Sequence, residues 1–106
     1  MNIKQGVKLS GIKAELVVAL MIAQETARTY NQHYRITVTS VTDGTHSKGS
    51  LHYVGQAADI RVSDMPFEVL KYVNSLKLAL KENYDVVFEK THIHIEYQPK
   101  IKTERR

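Results

Sequence analysis

Ser50-Leu51-His52-Tyr53-Val54-Gly55-Gln56-Ala57-Ala58-Asp59 decides how this chain folds, together with its later counterpart Thr91-His92-Ile93-His94-Ile95-Glu96. Ala57 to Val62 alternates in character, with Ala58, Ile60 and Val62 on one face and Asp59 and Arg61 on the other. Thr91 to Tyr97 does the same, with Ile93, Ile95 and Tyr97 opposite His92, His94 and Glu96. Both segments therefore read as strands with an apolar face turned to a core. If the two strands are neighbours, Asp59 projects from the same open face as the histidine pair, and His52, on the bend before Gly55, reaches over it. An aspartate inside an apolar strand is costly to bury without a partner, and a metal ion is a sufficient one. Two imidazoles and one carboxylate make a three-ligand zinc site that keeps a position for water. His52 and Asp59 are expected to supply two of the ligands. Periodicity alone does not choose between His92 and His94 for the third.

Outward from these strands, Leu16, Leu20, Ala23, Ala27 and Tyr30 recur at helical spacing, widened by Val17, Val18, Met21 and Ile22. They predict a long packing helix from about Gly11 to about Gln32, behind an irregular lead-in. Arg35 to Val41 is β-branched and alternating, hence a strand, and the polar Thr42 to Leu51 reads as a loop. Pro66 suits the first turn of a second helix, whose stripe is Val69, Val73, Leu76 and Leu80, ending near Asn83. Tyr84 to Phe88 is a further short strand, and Pro99 closes the regular structure. The expected architecture is α+β, a small, mostly antiparallel sheet packed on two main helices. Residues 1–106 form one domain in this reading, with 1–9 and 98–106 as peripheral tails.

Composition narrows the chemistry. The 106 residues suffice for one modest core. There is no cysteine, so disulfides and thiolate ligands are excluded and any transition metal falls to His, Asp or Glu. No apolar run reaches bilayer length, and the N-terminus lacks a secretory pattern, so cytoplasmic synthesis without a signal peptide is expected. The net charge of +4 and pI near 9.4 owe part of their excess to the tail from Lys100 to Arg106. Such a tail is usually solvated; a weaker reading is attraction to a polyanion.

The motif Ser50-x-His52-x-x-Gly55-x-Ala57-x-Asp59, followed by His92-x-His94, resembles the zinc D-Ala-D-Ala carboxypeptidase and hedgehog signalling-domain superfamily. Locally it is close to hedgehog amino-terminal domains, from His46-Ser47 through Asp59-Ile60 and again at His92-Ile93-His94. The resemblance spans about Val38 to Glu96 and implies a hedgehog/DD-peptidase-like fold. It also implies His52, Asp59 and His94 as zinc ligands, with His46 and His92 lining the site to hydrogen-bond the substrate carbonyl or tetrahedral intermediate. Ser50 and Tyr53 are expected to contact substrate, and Glu96 to support a ligand from behind. Two departures stand out. Ser40 to Thr45 contains no arginine to hold a substrate carboxylate, which leaves endopeptidase action open beside carboxypeptidase action. Glu89 lies one position from where a hedgehog alignment puts the catalytic glutamate, a place taken here by Phe88.

The activity this implies is zinc-dependent hydrolysis of amide bonds in peptidoglycan stem peptides, by a murein peptidase of phage or bacterial origin such as an endolysin acting on the cell wall. Zinc would lower the pKa of its water to roughly 7, and Glu89 would act as the base. Gly55 has two readings, room for the turn beside the metal or tight packing. A monomer is expected. One alternative is a non-catalytic hedgehog-like binding or structural module, for example a virion component, in which zinc holds the fold. Nucleic-acid binding ranks last, because neither helix carries a basic stripe.

Overall fold

The computed structural model describes residues 1–42 and 54–100. Its elements in chain order are β1 (Asn2–Ile3), α1 (Ala14–Tyr30), β2 (Thr37–Ser40), β3 (Ala57–Arg61), α2 (Val69–Leu80), β4 (Tyr84–Glu89) and β5 (His92–Tyr97). The strands form one sheet in the order β1-β2-β3-β5-β4, antiparallel throughout except for the parallel β1–β2 pair. Both helices pack on one face of it. This is the α+β arrangement expected from the sequence, two helices on a mostly antiparallel sheet. The short β1 is an addition: Asn2–Ile3 pairs with Thr37–Val38 where an irregular lead-in is expected.

The core is built where the two periodicities meet. Ile36, Val38, Ala58, Ile60, Val86, Ile93 and Ile95 point from the sheet towards Leu16, Leu20, Tyr72, Val73, Leu76 and Leu80 of the helices. The buried stripe of α1 is Leu16, Ala19, Leu20, Ala23 and Ala27. Three alanines on that stripe let α1 lie close to the sheet and to α2. Val17, Val18 and Met21 are therefore left on the outer face rather than widening the stripe inward. Tyr30 is also displaced from the expected stripe. Its hydroxyl meets Ser75 Oγ at 2.5 Å and donates to the Lys71 carbonyl at 3.1 Å. Tyr72 is fully buried, and its hydroxyl donates to the Ala23 carbonyl at 2.8 Å, joining the helices without leaving a polar atom unsatisfied.

α2 begins at Val69, three residues beyond Pro66, and the reason is local packing. Phe67 is drawn into an aromatic cluster with Tyr30, Tyr34 and Tyr72, with ring centroids 5.3, 5.3 and 5.4 Å away. Glu68 then caps the helix with extended backbone. Edge-on and tilted contacts of this kind outweigh the small preference of proline for a first helical turn. The β4–β5 hairpin turns through Lys90-Thr91 alone, which fixes Glu89 opposite His92.

Candidate functional site

The sheet face turned away from the helices carries the ionisable groups in three rows, set by the registers of β3, β5 and β4. Arg61, His92 and Glu89 form the first row, Asp59, His94 and Val87 the second, and Ala57, Glu96 and Asp85 the third. A period of two places the histidines and acids on this face because their neighbours Ile93, Ile95, Ala58 and Ile60 are fully buried on the other. A register irregularity between Val38 and Ser40 of β2 sits beside Asp59, whose carbonyl accepts a hydrogen bond from Thr39 Oγ1 at 3.4 Å. Bulges beside functional side chains commonly re-aim them in this way.

His94 is the centre of the face. Its Nδ1 lies 3.0 Å from Asp59 Oδ1 and its Nε2 lies 2.7 Å from Glu96 Oε1. Both groups are largely buried, with side-chain exposures of 19% for His94 and 14% for Asp59. A neutral imidazole has one N–H, so it can satisfy one of these carboxylates and would turn a lone pair towards the other. The arrangement therefore demands a cation at one ring nitrogen, a proton or a metal. Without metal the proton takes that place. The hydrogen bond to Asp59 is the largest cause, opposed by burial and helped by Glu96, and together they hold the His94 pKa up at about 9.

That shift has a definite sign. A histidine whose folded pKa lies above its ordinary value of 6.5 stabilises the fold fully below that value, and the contribution is lost as pH rises through about 9. Metal-free protein should thus show a falling urea midpoint between pH 6.5 and about 9. The difference between wild type and His94→Gln should shrink over the same window, and a difference that stays constant would contradict the assignment.

The donor chemistry suits zinc. Glu96 Oε1 faces Nε2 at 2.7 Å and Asp59 Oδ1 faces Nδ1 at 3.0 Å, so with the N–H on Nε2 the Nδ1 lone pair would lie on the side of Asp59. A carboxylate behind a ligating imidazole is the usual way such a ligand is oriented. Asp59 and His94 are thus two adjacent donors of the expected set. Among the described residues no three His, Asp or Glu side chains converge on one point. His52, the expected third ligand, lies outside the described residues, as do His46, Ser50 and Tyr53. His92 is further off, with Nε2 at 3.8 Å from Asp59 Oδ1 and 2.8 Å from Glu89 Oε1. Glu89 is 54% exposed and faces His92, while the position across from His94 belongs to Val87. The Glu89–His92 pairing escaped sequence reading because it depends on the two-residue turn. With the hairpin register in hand, it follows from the letters Glu89-Lys90-Thr91-His92.

Comparison with known proteins gives one consistent answer. A family model described as the Hedgehog amino-terminal signalling domain matches residues 12–97. The Indian hedgehog protein of Gallus gallus is 42% identical over 62 residues, which cover 57% of this chain and 15% of that protein. The chain thus spans a small part of the length of that relative.

These matches correct the functional expectations drawn from sequence. They run to a signalling domain, so the expected zinc metallopeptidase, with its hydrolase, carboxypeptidase and endolysin readings, does not stand. The peptidoglycan stem peptide as partner and the bacterial cell wall as place of action fall with it, as does the cytoplasmic placing. The physical source of the error is that a metal-holding set of two imidazoles and a carboxylate serves structural and hydrolytic zinc alike. Such a set does not by itself specify a reaction. Among the described residues no helix is long and apolar enough to cross a membrane.

Proposed function

The chain belongs to the Hedgehog amino-terminal signalling domain family, and from that premise we propose that it is a non-catalytic recognition module whose open sheet face meets a protein partner. The observation that carries this reading is the His94 imidazole held between Asp59 and Glu96 on a face that no described helix covers. In this reading zinc is part of the surface. Asp59 and His94 hold it together with His52, Glu96 orients the His94 ring, and the metal's charge and coordination bonds stiffen the two central strands. Glu89 then has a structural task, fixing the His92 ring above the hairpin turn through their 2.8 Å contact.

Zinc analysis with calorimetry and peptide digestion tests the proposal together. One zinc ion per chain is expected, with a thermal midpoint that falls on chelation and recovers when zinc returns. The zinc-loaded protein should release no new amine from reporter peptides. Failure to bind zinc, or zinc-dependent cleavage of the reporters, would overturn the reading.

A further inference from the structure

Beside the Asp59–His94 pair, at the hairpin end of the same face, lies a cavity of about 500 Å³. Three cationic side chains line it: Lys4 from just beyond β1, Arg61 from the end of β3, and Lys90 from the β4–β5 turn. Among the described residues Asp59 is the one carboxylate on its wall, so three side-chain cations face a single side-chain anion there. None of Lys4, Arg61 and Lys90 makes an ion pair among the described residues. Cations left unpaired around one concavity repel each other, and that cost is recovered when an anion enters. The remaining wall is mixed, with Thr39, Ser63 and Thr91 as polar residues and Val62 as an apolar surface.

We propose that this cavity is a subsite for an acidic stretch of a protein partner, taking glutamate or aspartate side chains next to the metal-binding pair. The proposal rests on the reading of this face as a recognition surface and names the chemistry it recognises. The mixed wall favours a peptide over a polyanionic sugar. A carboxylate on an aliphatic stem can pair with Arg61 or Lys90 while its methylenes lie on Val62. A sulfated polymer gains most from a long basic track, and this site is a short, open hollow with three cations among the described residues. An acidic side chain is favoured over a chain terminus because the cavity opens onto the face itself, where a partner lying across the sheet can lower a side chain into it.

The test uses the whole chain and an end-blocked peptide, acetyl-Gly-Glu-Glu-Gly-amide, followed by NMR. The peptide should shift the backbone signals of Thr39, Arg61 and Thr91 in zinc-loaded and in metal-free protein alike, and weaken as salt is added. The glutamine version should not bind. Lys4→Gln with Lys90→Gln, at two exposed positions, should weaken binding by about tenfold, and Arg61→Gln should do so independently. Because the metal-free arm reads the cavity alone, loss of the zinc assignment would leave this result intact. Equal binding of the glutamine peptide, unchanged affinity in both variants, or tighter binding at the same residues by a sulfated disaccharide or a free C-terminal carboxylate would overturn the proposal.

Discussion

Alanine at position 55 should cost about 3 kcal/mol of stability or more, well beyond an ordinary glycine substitution. Gly55 has φ +75°, a conformation that L side chains rarely adopt, so any Cβ there is strained at the outset. The greater cost is steric. A Cβ on Gly55 would sit 2.1 Å from the Gly11 carbonyl oxygen and 2.9 Å from the Ile12 Cα. Both are backbone atoms, and they cannot swing aside as the end of a long side chain would. The same contact holds the start of α1, because the Lys13 N–H donates to the Gly55 carbonyl at 3.0 Å. One residue on, the Gln56 carbonyl accepts from Tyr97 N–H at 2.8 Å and locks the β3–β5 pairing that sets Asp59 against His94.

Forcing the two backbones apart at position 55 therefore disturbs helix and sheet together. Gly6 and Gly11 supply the controls. Both have positive φ, and a Cβ on either meets nothing within 4 Å, so alanine there should cost only about 1 kcal/mol from backbone strain. Urea denaturation of the three variants separates the effects. A Gly55→Ala loss no larger than that of Gly6→Ala would show that the contact yields.

The same contact shows where sequence reading stops. Gly55 stands out in the sequence, but its neighbour in space is more than forty positions earlier, and nothing local announces an approach of two backbones. Its space is used for packing on Gly11, the second of its two sequence readings. Features governed by local periodicity fared better. The alternation of Ala58-Asp59-Ile60 and Ile93-His94-Ile95 put Asp59 and His94 on a shared face, and they are opposite each other in the register.

The α1 stripe was legible through Leu16, Leu20, Ala23 and Ala27. Ala19 lies on the same buried stripe, where a small residue is what a close helix contact needs. The start of α2 lies beyond the place Pro66 suggests because the pull of Phe67 towards three tyrosines is a tertiary effect. Function was the least legible. Two imidazoles and a carboxylate would serve a structural and a hydrolytic zinc alike, so these letters do not by themselves specify a reaction.

Alanine at His94 should reduce zinc affinity on the order of 1000-fold, if three ligands share roughly 12 kcal/mol of binding and one is removed. His92 is the other imidazole on β5, and periodicity treats the two alike. The structure separates them. His94 Nδ1 lies 3.0 Å from Asp59 Oδ1, with Glu96 holding the opposite nitrogen, whereas His92 Nε2 lies 3.8 Å from that oxygen and already faces Glu89. His92→Ala should consequently leave zinc affinity within a few-fold of wild type. Glu96→Gln should fall between, at about 10- to 100-fold, the usual cost of losing the group that orients a ligating histidine.

Competition against a chelator of known affinity ranks the three variants, and circular dichroism confirms that each keeps its fold. The ranking matters more than any single value. If His92→Ala lost zinc while His94→Ala kept it, the metal would have to sit in the Arg61–His92–Glu89 row, within reach of the Glu89 carboxylate. The Asp59–His94–Glu96 group would then be what its hydrogen bonds already make it without metal, an imidazolium clamped between two acids.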